Sequence, residues 1–286
     1  MRQAARVRGR GTGHGDGRRG ARGAALAAGA ATLAALLAGC ASGHPGAGDS
    51  GASARPGSST ATPARPPAPP LPAETSTPDP GLPPPVVSMD IAHAVAGGGR
   101  AVALTIDDGP DPTWTPKVLA VLRHNGVKAT FCMIGPQAAA HPGLVKAVVA
   151  DGHRLCDHSV HHDESMDHEG RAYQRAEILT AAGQITHASG GVAPQYYRAP
   201  GGAFTPYSRQ TAAAHGLRPL GWNVDAKDWE RPGTAAILAT VKEELGNGPT
   251  VLFHDGGGDR HQTVQALEQL LPWLRAHGYR FGFPVR

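Results

Sequence analysis

The apolar residues of this chain fall into two regimes. From about residue 97 onward, short apolar runs alternate with longer stretches in which apolar positions recur every three or four residues. The short runs predict strands at 101–106, 128–134, 153–157, 195–198, 217–224, 250–254 and 279–283. The periodic stretches predict helices at 115–125, 142–151, 170–188, 206–215, 234–245 and 261–277. Pro116 suits the first position of one helix and Gly126 its end, while Asp151-Gly152 and His277-Gly278 stop two more. Strands alternating with helices imply an α/β fold of parallel units, either an open sheet or a barrel. In both, functional groups collect at the carboxyl ends of the strands.

Before residue 97 the pattern is different. Residues 1–22 carry seven arginines and a single acid, Asp16, and lead into an uncharged Ala/Leu-rich run from Gly23 to Gly39. That run fits the apolar core of a secretory signal and is short for a membrane span. It ends in Leu37-Ala38-Gly39-Cys40, which resembles a lipobox, so residues 1–39 read as a signal peptide and Cys40 as a lipidated first mature residue. An ordinary cleaved signal, giving a secreted protein, is the alternative. Arg18-Arg19 lacks the flanking residues of a twin-arginine signal.

Residues 40–96 hold 13 of the 26 prolines, with Gly, Ala, Ser and Thr and few large apolar side chains. They read as an extended, disordered linker ahead of a single folded domain at 97–286. The charge balance changes once the signal is set aside. The 27 basic and 23 acidic residues of the whole chain become 20 and 22 without residues 1–39. The basic character belongs to the export signal, and nothing after it calls for nucleic acid.

Candidate chemistry sits where the strand-end rule puts it. The first strand runs into Thr105–Ile106–Asp107–Asp108–Gly109–Pro110, two adjacent carboxylates that project to opposite sides and can do different jobs. The third strand runs into Asp157–His158–Ser159–Val160–His161–His162. If this stretch is helical, His158 could share a metal with either His161 or His162. Arg198 follows Tyr196-Tyr197 and precedes Ala199-Pro200-Gly201-Gly202; it could orient a carboxylate, and the glycines leave backbone N–H groups uncovered. In Trp222–Asn223–Val224–Asp225–Ala226–Lys227–Asp228–Trp229, Asp225 could pair with a histidine. Trp229 offers a face for a sugar ring, and Trp222 reads as core. The sixth strand delivers His254, placed as a general acid. Cys132 and Cys156 fall in the second and third strands of an exported protein and read as two buried free thiols, with a disulfide between adjacent strands as the alternative.

Taken in order, Thr-Ile-Asp-Asp-Gly-Pro, His-Ser-Val-His-His, Arg-Ala-Pro-Gly-Gly, Asp-Ala-Lys-Asp-Trp and Leu-Phe-His resemble the five motifs of the polysaccharide deacetylase (NodB-homology) family. The resemblance implies a distorted (β/α) barrel of about seven parallel strands and a metal-dependent hydrolase that removes N-acetyl groups from amino sugars. It implies Asp107 as catalytic base and Asp108, His158 and His162 as metal ligands. It further implies Arg198 orienting Asp107, Asp225 tuning His254, and His254 protonating the leaving amine. Gly201, Trp229 and Leu252 would line the substrate pocket, although the family often has an aromatic residue at the position of Gly201.

The expected cofactor is a divalent metal, zinc for two imidazoles and a carboxylate, with cobalt or another transition metal able to substitute. The expected setting is a monomer anchored to the outer face of the membrane by its lipid, acting on an N-acetylated cell-wall glycan, with peptidoglycan first. Chitooligosaccharides, O-acetyl esters such as xylan, and an inactive glycan-binding module remain as alternatives.

Overall fold

The central strand is β1 (Ala101–Asp107), every residue of which is buried. Burial on both faces is what a near-continuous apolar run requires of a parallel strand. Around it lie β2 (Thr130–Met133), β3 (Arg154–Asp157), β4 (Tyr196–Tyr197), β5 (Arg218–Pro219), β6 (Val224–Asp225) and β7 (Thr250–His254), in the spatial order β5-β4-β3-β2-β1-β7-β6. All of these pairs are parallel. An eighth strand, β8 (Arg280–Phe281), pairs with the first residues of β1. The computed structural model describes residues 78–286. The signal, Cys40 and most of the spacer lie outside the described residues.

The sheet curls into a half-barrel whose two faces have different contents. Val102, Leu104 and Ile106 of β1 point outward. They pack with Phe131 and Phe253 against Val118 and Leu122 of α1 (Thr115–His124) and Leu267 and Leu271 of α7 (His261–Ala276). Each such fully buried side chain contributes about 1.5–3 kcal/mol. The alternate residues Thr105 and Asp107 point inward, toward Arg198. The remaining helices are α2 (Gly135–Ala140), α3 (Pro142–Ala150), α4 (Arg171–Ser189), α5 (Pro206–Ala214) and α6 (Thr234–Glu244). Six of the seven α-helices among the described residues match predicted stretches; α2 is too short to show a helical period.

Three expectations are corrected. First, the predicted strand at 217–224 is two strands, because the chain around Ala92 wedges between them. Ala92 N donates to Pro219 O, Gly221 N donates to Ala92 O, and Ala92 forms a bridge with Leu220. A Cβ at Gly221 would lie 2.3 Å from the His93 ring and 2.8 Å from Ile91 Cγ2, so a larger residue would push this segment aside. The break turns the carbonyls of Leu220 and Gly221 inward, where they hold Arg198.

Second, residues 78–96 do not behave as spacer. Met89, Ala92 and Val95 recur at three-residue intervals and are buried, and Gln210 bonds Asp79 in both directions. Third, Cys132 and Cys156 form a disulfide. The β2–β3 register puts the two residues directly opposite with Cα atoms 4.1 Å apart, a relation that spacing in sequence does not disclose.

Candidate active site

The predicted residues meet at the carboxyl ends of β1, β3, β4, β6 and β7, around a cavity of about 290 Å³. A larger groove of about 760 Å³, bordered by α4 and residues 190–194, is mainly apolar and lies away from these groups.

Arg198 is the fixed point of the inner face. It is fully buried, and all three guanidinium nitrogens are engaged. Nη1 donates to Asp107 Oδ1 at 2.7 Å and to Thr105 Oγ1 at 2.9 Å, Nε to Leu220 O at 3.2 Å, and Nη2 to Gly221 O at 2.9 Å. Burial pulls its pKa down, and the Asp107 carboxylate partly restores it. With Oδ1 engaged, Asp107 keeps Oδ2 for the site, 3.5 Å from His158 Nε2. The expectation that Arg198 orients Asp107 therefore has its contact.

Asp108 faces the two histidines. Its Oδ1 lies 3.2 Å from His162 Nε2 and 3.6 Å from His158 Nε2, and all three potential ligand atoms fall within 4.8 Å of one another. His158 Nδ1 donates to Arg198 O at 2.8 Å, which fixes the tautomer and leaves the Nε2 lone pair toward Asp108. Burial lowers the His158 pKa, with Asp107 and Asp108 acting against it. For Asp108, burial alone would raise the pKa, but the imidazoles of His162, His158 and His254 hold it below the usual carboxylate range.

Asp108 Oδ1 is also a buried oxygen with no aligned hydrogen-bond donor. An orphan carboxylate oxygen facing two imidazoles is what a cation site looks like before its ion is added, so this donor set fits a divalent metal. The stretch from Ser159 to His162 is not helical, contrary to the premise of the spacing argument. Ser159 and His162 have φ of 67° and 53°, and the turn brings His158 and His162 together while His161 points away to Glu177.

The acid side of the site needs a correction. His254 Nδ1 donates to Asp228 Oδ1 at 2.7 Å, and no contact to Asp225 occurs among the described residues. Asp225 sits opposite Leu252 in the β6–β7 register, and its Oδ1 accepts from Lys227 N at 2.9 Å instead. The turn at Lys227, with φ of 51°, carries Asp228 back over the end of β7. There Asp228 Oδ2 accepts from His254 N and from Thr263 Oγ1. Burial would lower the His254 pKa, but Asp228 overrides it and raises the value to about 9. Its place beside Trp229, three residues past the strand end, was the available signal.

The pocket residues fall as expected in part. Leu252 and Gly201 line the cavity, and Trp229 stands at its mouth with 49% of its surface exposed. Trp222, read as core, also lines the cavity and lies against Arg198. Gly201 has φ of 57°, and a Cβ there would meet the Cβ and Cγ of Glu164 at 3.2 and 3.3 Å. Glu164 thus takes up space beside Gly201 that a larger side chain would claim.

This geometry can be set beside known proteins. Residues 94–220 match the family model for polysaccharide deacetylase. A chitooligosaccharide deacetylase from Bradyrhizobium is 37% identical over 206 residues, 68% of this chain and 94% of that protein. The chain belongs to the polysaccharide deacetylase family. A peptidoglycan-N-acetylglucosamine deacetylase from Bacillus cereus is 38% identical over 203 residues, covering 67% of this chain and 89% of that one.

Solved structures of the family superpose on this fold. One is a peptidoglycan N-acetylglucosamine deacetylase in complex with 4-naphthalen-1-yl-N-oxidanyl-benzamide, with a TM-score of 0.63 at 29% identity over 68% of this chain and 90% of that one. Another, a family 4 carbohydrate esterase from Streptomyces lividans in complex with acetate, gives 0.59 at 35% identity over 66% and 94%.

Proposed function

We propose that this polysaccharide deacetylase family member removes N-acetyl groups from an N-acetylglucosamine polymer outside the cell, with peptidoglycan as its substrate. The observation that carries the reading is the arrangement of three kinds of group about one cavity. A metal-ligand set of Asp108, His158 and His162, a carboxylate oxygen of Asp107 and His254, backed by Asp228, all face it.

A divalent cation held by Asp108, His158 and His162, zinc by the chemistry of the donors, would polarise the acetyl carbonyl and acidify water. Asp107 Oδ2 would take the proton from the attacking water, while Arg198 holds Oδ1 and so prevents the carboxylate from turning away. His254, kept protonated by Asp228, would give its proton from Nε2 to the departing amine nitrogen. The breaking C–N bond then leaves a neutral amine on the sugar and an acetate. Trp229 offers a flat apolar face at the cavity mouth for a sugar ring, and Leu252 closes the wall near His254.

The test is acetate release by the full chain from peptidoglycan, from N-acetylglucosamine oligomers and from acetyl-xylan, before and after chelation. Release from peptidoglycan, lost with chelator and restored by zinc, is expected. Preference for the oligomers would move the substrate to that of the Bradyrhizobium relative. Release from acetyl-xylan alone would make the protein an esterase. No release from any of them with metal bound would turn the reading to a glycan-binding module.

Place is proposed from the sequence: export, then anchoring to the outer membrane face through a lipid on Cys40. Cys40→Ser is expected to move the protein from the membrane fraction to the soluble one. Retention of the variant in the membrane fraction would refute the anchor.

A further inference from the structure

We propose that Glu177 is a positioning residue for the metal ligands, its buried carboxylate fixing the main chain between His158 and His162 to the body of the fold. The inference rests on the reading of Asp108, His158 and His162 as the ligand set.

The loop that carries the two histidines is held in an unusual way. Four consecutive backbone N–H groups, from Ser159 to His162, donate to side-chain oxygens. Ser159 N goes to Asp157 Oδ1 at 2.8 Å and His162 N to Ser159 Oγ at 3.2 Å. These two acceptors belong to the loop or its root and move with it. The middle pair, Val160 N at 3.0 Å and His161 N at 2.8 Å, both go to Glu177 Oε2. Glu177 sits on α4, so its carboxylate is the one acceptor of the set that ties the loop to another element. Its other oxygen, Oε1, accepts from His161 Nδ1 at 2.6 Å.

Glu177 is 3% exposed. A carboxylate buried to that degree is costly unless donors converge on it, and three do. Successive N–H groups pointing at one anion form a nest, here filled by a side chain of the same protein.

The loop needs such a tether. Ser159 and His162 are non-glycine residues at positive φ, a strained conformation that persists only where the surroundings impose it. His158 has a second brace, Arg198 O at its Nδ1. His162 has no hydrogen bond at Nδ1 among the described residues; apart from the edge contact of its ring with His158, its direction toward Asp108 is set by its main chain. Glu177 reaches no atom of the reacting groups. It acts on the metal through the aim of the imidazoles, above all that of His162.

The experiment measures zinc affinity of the full chain, stripped with chelator and then titrated against a chromophoric competing chelator. Glu177→Asp keeps the charge and draws the carboxylate back by one methylene; ten- to hundredfold weaker zinc binding is expected. Glu177→Gln, whose amide oxygen can still accept from both N–H groups, should lose less. In both, acetate release should recover at saturating zinc. His161→Ala removes only the ring contact and should stay within about threefold of the parent protein, in keeping with a role for the backbone contacts.

His162→Ala serves as the reference for a lost ligand. Should it lose zinc while Glu177→Asp binds like the parent, the positioning role is wrong. A greater loss in Glu177→Gln than in Glu177→Asp would make charge, and not reach, the operative property and would equally overturn it. If the parent protein binds zinc no better than His162→Ala, the ligand assignment itself falls, and the inference with it.

Discussion

Asp107→Asn is expected to lower acetate release by about 10³-fold, the scale of a lost general base, while zinc is still bound. The amide keeps the size of the carboxylate, and its oxygen can keep the 2.7 Å bond from Arg198 Nη1. The NH₂ group then takes the place of Oδ2, presenting a donor where the mechanism needs an acceptor. Asp108, His158 and His162 keep their atoms, so metal binding survives.

The substitution also removes the carboxylate that pairs with a fully buried guanidinium. The other acceptors of Arg198 are a hydroxyl and two carbonyls, which carry no formal charge. Breaking a buried pair from one side costs about 3–5 kcal/mol, so a lower midpoint in denaturant is expected as well. Kinetics should therefore be measured where the variant is shown to be folded and zinc-loaded. A folded, loaded Asp107→Asn protein that keeps a tenth or more of the parent rate would remove Asp107 from the role of base.

Why some of this was legible in the sequence and some was not follows from what each feature depends on. Asp107, Asp108 and His254 each end a short apolar run, and a polar residue at the end of a buried parallel strand faces the catalytic side by topology alone. His158 and His162 were legible as a pair, but for a reason the structure replaces. A strained turn held by side-chain acceptors, and not a helical face, brings them together.

The features that escaped depend on relations between distant segments. The disulfide needs the β2–β3 register, and the break in the 217–224 strand needs the wedge at Ala92. Glu177 reads as one more polar position on a helix until the loop folds against it. Asp225 directly follows the predicted strand and so stands out in the sequence, whereas the turn at Lys227 that returns Asp228 to β7 leaves no periodic trace.

That substitution of one aspartate for another gives the sharpest test of the acid side. Asp228→Asn is expected to lower the rate near pH 8 by about 10²-fold and to move the alkaline limb of the pH–rate profile downward, whereas Asp225→Asn should leave the limb in place. His254 must carry its proton to serve as the acid, so activity is lost as pH rises through its pKa. Burial by itself lowers that pKa, and the Asp228 carboxylate raises it from 6.5 to about 9. With an amide at position 228 the largest raising contribution is gone, and burial is opposed only by the charges of Asp107 and Asp108. The limb then falls from near pH 9 toward 6.5.

Stability follows with the same sign. The raised pKa of His254 stabilises the fold fully below pH 6.5, and this contribution is lost as pH rises through about 9. Asp228→Asn should flatten that dependence. Asp225, half-buried with its Oδ1 on Lys227 N, has no path to either effect. An alkaline limb that moved in Asp225→Asn and stayed in Asp228→Asn would show that another group supplies the proton, since no other carboxylate contacts His254 Nδ1 among the described residues.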